Sequence, residues 1–110
     1  MKIFLMADNW IGLKVTEHLK NKNEEIVGLA VHPHEYQNLT NEIIEESGVG
    51  SDKVFVVSKD IEQSLIEEIV NLKPDIILVV FWRYILPESL FLIAPKGAIN
   101  FHMADRKSVV

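Results

Sequence analysis

Asp75-Ile76-Ile77-Leu78-Val79-Val80 is the stretch on which the fold turns. Its aliphatic run is unbroken, so it reads as a strand buried on both faces. That pattern belongs to a parallel sheet covered by helices, whereas a sheet with one wet face alternates polar and apolar residues. Pro74 stands just before the run and stops a helix whose stripe is Ile61, Leu65, Ile69 and Leu72. Asp60, with Gln63 three residues on, has the form of a capping box at the head of that helix.

The same alternation recurs on either side. Toward the amino terminus, Lys53–Val57 reads as a strand after a polar turn at Gly48–Asp52, and Gln37–Glu46 as a short helix with a thin apolar face. Glu25–Val31 is another strand, closed by His32-Pro33-His34, and Lys2–Ala7 is the first, almost wholly apolar. Between these two lies a helix with Ile11, Val15 and Leu19 on its core face. Asp8 or Asn9 is placed to cap it, and Asn23 to close it in the left-handed conformation. Toward the carboxyl terminus come the loop Phe81-Trp82-Arg83-Tyr84, a helix from Pro87 to Ile93, and a last strand, Gly97–His102. Strands alternating with helices predict an α/β domain, a Rossmann-like and mainly parallel sheet flanked by helices. In such sheets ligands lie at the carboxyl ends of the strands, where the strand order reverses. The Asp8–Gly12 turn, the Phe81–Tyr84 loop and the end of the chain at His102 all fall on that edge.

The last strand carries polar groups suited to chemistry. Strand residues two apart share a face at about 7 Å, so Asn100 and His102 aim together while Ile99 and Phe101 face away. An amide and an imidazole so placed suit a developing oxyanion. By itself, Asn-x-His also fits a strand end that meets solvent.

The strand, Phe81-Trp82-Arg83-Tyr84-Ile85-Leu86-Pro87, the short helix and Gly97-Ala98-Ile99-Asn100-Phe101-His102 together resemble the formyltransferase family. That family includes enzymes acting on methionyl-tRNA, glycinamide ribonucleotide and sugar nucleotides. The resemblance spans residues 1–105, read as one Rossmann-type domain, and leaves 106–110 unmatched. It implies transfer of a formyl group from 10-formyltetrahydrofolate, without a metal, to a primary amine. Asn100 and His102 would be the catalytic residues, and the loop Phe81, Trp82, Arg83, Tyr84, Ile85 and Leu86 would hold the folate. Asp8, Asn9 and Trp10 would meet the amine substrate, with a sugar nucleotide favoured and methionyl-tRNA the alternative. The family's later acidic residue has no match here, and Asp105, only three residues past His102, is not taken to replace it. This chain alone is therefore expected to be an incomplete domain without turnover, self-associating through its carboxyl-terminal region. A binding module that keeps the fold without the chemistry is the competing class.

Composition narrows the field. Eleven basic residues against sixteen acidic give a net charge of -5, which speaks against a broad nucleic-acid footprint and so against tRNA. Without cysteine there is neither a disulfide framework nor a thiol nucleophile. The apolar start is too short for a signal segment and no run approaches a membrane span, so a cytoplasmic protein is expected. His32-Pro33-His34 lacks the third ligand of a metal site and reads as a loop, and His18 as a surface residue. Trp10 and Trp82 fit either a core or a pocket. The first turn holds one glycine where a dinucleotide clamp needs three.

Overall fold

A computed structural model describes residues 1–101. Five strands, β1 (Lys2–Ala7), β2 (Glu25–Val31), β3 (Val54–Val56), β4 (Ile76–Val80) and β5 (Ala98–Phe101), form one sheet in the order β3-β2-β1-β4-β5. Every pairing is parallel, as the unbroken apolar runs of β1 and β4 require. The helices are α1 (Asn9–Asn21), α2 (Thr40–Ser47), α3 (Gln63–Leu72) and α4 (Glu88–Phe91).

The pleat divides the core into two layers. Ile3, Leu5, Ile76, Leu78 and Val80 pack with Leu19 of α1 and Ile43 of α2 on one face. Phe4, Met6, Ile77 and Val79 pack with Ile69 of α3 and Leu90 of α4 on the other. Each fully buried aliphatic or aromatic side chain contributes roughly 1.5–3 kcal/mol by leaving water. Gly28 of β2 leaves a gap that is filled from this second layer. A methyl group there would come within 2.8 Å of Leu72 and 2.9 Å of the Phe4 ring.

Several local expectations need correction. The buried line of α1 is Gly12, Thr16 and Leu19, while Ile11 and Val15 sit at its margin. Gly12 brings the helix close to the sheet, since a Cβ there would stand 3.2 Å from that of Ala7. The Thr16 hydroxyl satisfies itself by donating to the Gly12 carbonyl at 2.8 Å. Asn23 does close α1 at φ 60. The second helix begins at Thr40, after a 3-10 turn at His34–Tyr36 and a left-handed Leu39. The capping box at Asp60 is not formed: α3 starts at Gln63 with Glu62 as its N-cap. Val57 still bonds β2 at Val31, so the chain needs the intervening residues to climb from the sheet to the helix layer. β3 is shorter than expected, and among the described residues β5 is an edge strand with Ile99 and Phe101 exposed. Among the described residues no helix is long and apolar enough to cross a membrane.

Candidate functional site

From β1 the chain runs outward through β2 and β3, then returns to β4 and β5 on the other side. The order therefore reverses between β1 and β4, and the carboxyl ends of these strands border the crevice where such sheets bind ligands. Asp8 follows β1, His32 follows β2, the Phe81–Leu86 loop follows β4, and Asn100 lies on β5.

Asp8 is 3% exposed and its carboxylate is fully engaged. One oxygen meets His32 Nδ1 at 2.7 Å, and the other accepts the Asn38 backbone N–H and the Thr40 hydroxyl, each at 3.0 Å. Asp8 thus pins the start of α2 to the end of β1, which is why that helix cannot begin at Gln37. His32 is equally buried. A carboxylate only accepts, so the network assigns a proton to Nδ1 and leaves Nε2 to accept the Arg83 backbone N–H at 3.2 Å. The Trp82 ring stacks on the imidazole, with centroids 4.0 Å apart and planes 20° from parallel.

The loop after β4 is turned sharply at its first residue. Phe81 holds φ 53, a left-handed conformation unusual for a bulky side chain, and donates its N–H to the Phe101 carbonyl at 2.9 Å. Beyond the turn, the Arg83 guanidinium lies 3.8 Å over the Tyr36 ring, and Tyr84 meets Tyr36 edge-on. Trp82 Nε1 is buried without a hydrogen-bond partner among the described residues. Trp82, Arg83, Tyr84, Ile85, Leu86 and Phe91 line a cavity of about 290 Å³ that includes Asn100 in its wall. That volume lies at the lower end of small-molecule sites.

Of the residues singled out from the sequence, Asn100 and Trp82–Leu86 come together around this cavity, and Phe81 supplies the turn beside it. His102 lies outside the described residues. In the Asp8–Trp10 turn, Asp8 is enclosed, and Asn9 uses its side-chain oxygen to accept the Ile11 N–H at 2.9 Å. Trp10 remains open to solvent, 58% exposed, with the Lys14 ammonium 5.4 Å from its ring. Sequence reasoning missed His32, taken for part of a loop at a strand end, and Tyr36. The available signal was position: Asp8 and His32 each directly follow an apolar strand, so neighbouring parallel strands deliver them to the same edge. Among the described residues no cluster of three metal-ligating side chains occurs.

No family model matches the chain. It is similar to the methionyl-tRNA formyltransferase of Alkaliphilus oremlandii, 30% identical over 107 residues, which cover 93% of this chain and 34% of that protein. It is 27% identical over 109 residues to that of Clostridioides difficile, covering 94% of this chain and 35% of the relative. A third, from Borreliella afzelii, is 27% identical over 106 residues, 93% of this chain and 33% of its own length. The chain therefore spans about a third of the length of the curated relatives it matches.

Proposed function

The chain is related in sequence to the formyltransferase family, and from that kinship and the cavity beside Asn100 we propose that it serves formyl transfer from 10-formyltetrahydrofolate to a primary amine. The amine favoured is that of methionyl-tRNA, the acceptor in the relatives' names, in place of the sugar nucleotide preferred on sequence alone. The net charge of -5 disfavours a broad RNA footprint, but an aminoacyl end needs only a local cleft.

The cavity carries this reading. Trp82, Leu86 and Phe91 offer apolar surface, and the loop backbone offers donors and acceptors. These features suit a flat heteroaromatic ring. Its volume fits such a ring and not a whole folate, whose remainder would extend into solvent. The folate would supply a formyl carbon ready for transfer. Asn100, in the wall of the same cavity, offers amide N–H donors to an oxygen that gains negative charge, a role His102 would share by resemblance.

Two measurements test the reading. NMR titration with 5-formyltetrahydrofolate should perturb the amides of Trp82–Leu86 and Asn100, and no perturbation at millimolar ligand would remove the folate. Formyl transfer is then assayed with methionyl-tRNA and an amino-sugar nucleotide as rival acceptors. Product from the sugar alone overturns the choice of acceptor, while folate binding without any product assigns this chain the folate site and not the transfer.

A further inference from the structure

We propose that His32, held by Asp8, is the positioning residue of the cavity loop: its Nε2 fixes the Arg83 amide and its ring seats Trp82, so the wall is shaped before a ligand arrives. The ligand's identity rests on the folate reading above, whereas the order of the loop does not.

Among the described residues, the backbone of the loop has little else to hold it, although Arg83 and Tyr84 also pack on Tyr36. Among the described residues, Arg83 N–H to His32 Nε2 is the one hydrogen bond made by a backbone amide between Trp82 and Leu86. The flanking ties lie at Phe81, which bonds Phe101, and at Leu90, which bonds Pro87. A ligand held by backbone groups of this loop needs those groups in place, and disordered ones would first have to be ordered at a cost in affinity. His32 answers that need because it is itself buried and bonded at both ring nitrogens. Its Nδ1–H is committed to Asp8, whose other oxygen is committed to Asn38 and Thr40. The chain of bonds runs from α2 through β1 and β2 to the loop after β4, and each link fixes the direction of the next. Protonated at Nδ1, the imidazole presents a lone pair at Nε2; the other tautomer would set an N–H against the Arg83 N–H. Asp8 therefore acts on the loop without touching it.

Two variants separate this role from simple packing. His32→Phe keeps an aromatic surface for Trp82 but removes the acceptor, while His32→Gln can return an amide oxygen to the region of Nε2. Hydrogen exchange at the Arg83 amide and the Kd for 5-formyltetrahydrofolate are measured in both. In His32→Phe the Arg83 amide should lose protection and Kd should weaken by roughly 2- to 10-fold, the range for the net worth of one part-buried hydrogen bond. His32→Gln should recover most of both. Unchanged protection and Kd in His32→Phe, or a Gln variant as impaired as the Phe variant, overturn the proposal. Should His32→Phe fail to fold, the ¹⁵N spectrum of the wild-type imidazole decides: protonated Nδ1 and bare Nε2 support it, and the opposite tautomer overturns it. Wild-type chain that binds no folate removes the ligand assignment, and Arg83 exchange alone then judges the positioning role.

Discussion

Replacing Asp8 by alanine removes the acceptor for three groups at once: the His32 Nδ1–H, the Asn38 N–H and the Thr40 hydroxyl. Asp8 is 3% exposed, so water does not readily take its place. A buried donor left without a partner costs about 1–3 kcal/mol. The three share one acceptor and the hydroxyl can rotate, so the losses do not add fully, and a total near 3–5 kcal/mol is expected. Against a stability of about 5–15 kcal/mol for a domain of this size, that is a large fraction. Urea denaturation followed by circular dichroism reads it directly. With a slope near 1.5 kcal/mol per molar, the midpoint should fall by about 2–3 M. Asp8→Asn sharpens the test. Its amide oxygen can still serve Asn38 and Thr40, but its NH2 faces His32 Nδ1 and forces the tautomer that sets Nε2–H against the Arg83 N–H. About 1–3 kcal/mol should be lost, less than for alanine. An alanine variant within about 0.5 kcal/mol of wild type would refute the view of Asp8 as a structural hub. An asparagine variant as stable as wild type would refute the tautomer assignment.

Other expectations are simpler. Gly28→Ala should cost about 1–3 kcal/mol in the same denaturation assay, because its methyl meets the Phe4 ring at 2.9 Å in a filled layer. Lys73→Gly should gain about 0.5–1 kcal/mol, since Lys73 closes α3 at φ 54, where glycine carries no penalty; a loss would show that the lysine side chain matters more. If formyl transfer is measurable, Asn100→Ala should lower kcat by roughly 10²–10³ with KM for the folate nearly unchanged, and the reverse pattern would make Asn100 a binding residue. Ile99 and Phe101 are 46% and 43% exposed on an edge strand, so sedimentation equilibrium should show self-association that Phe101→Lys reduces; a monomer at all concentrations counts against it.

The architecture was legible because its signals were strong and local. Unbroken aliphatic runs marked β1 and β4 as doubly covered strands, Pro74 separated α3 from β4, and Asn23 announced the end of α1. Misreadings arose where a distant contact overrode a local preference. Asp60 and Gln63 had capping chemistry, but the path of the chain from the sheet placed the helix start further on. Gly12 and Thr16 line the buried face of α1 although neither is apolar, because closeness to Ala7 favours small side chains. For the site, the loop after β4 and Asn100 could be brought together from topology. Topology likewise delivers Asp8 and His32 to one edge, but the bond between them depends on the relative stagger of the two strands. Such pairings become visible only when the sheet is assembled.

The central place of β1 also bears on how the chain acquires its fold. Of the five described strands it comes first in sequence, and it has β2 on one side and β4 on the other, with Ile3 opposite Ile76. Its second edge therefore stays open until β4 has been made. For that interval Ile3 to Ala7, a strongly apolar segment of β geometry, presents an unpaired edge to its surroundings. Parallel pairings over such long separations form slowly, because the intervening loop must close before any contact rewards it. Synthesis on the ribosome is thus the stage at which chaperone protection should matter most to this protein, and a stall before β4 emerges should leave the nascent chain prone to aggregation.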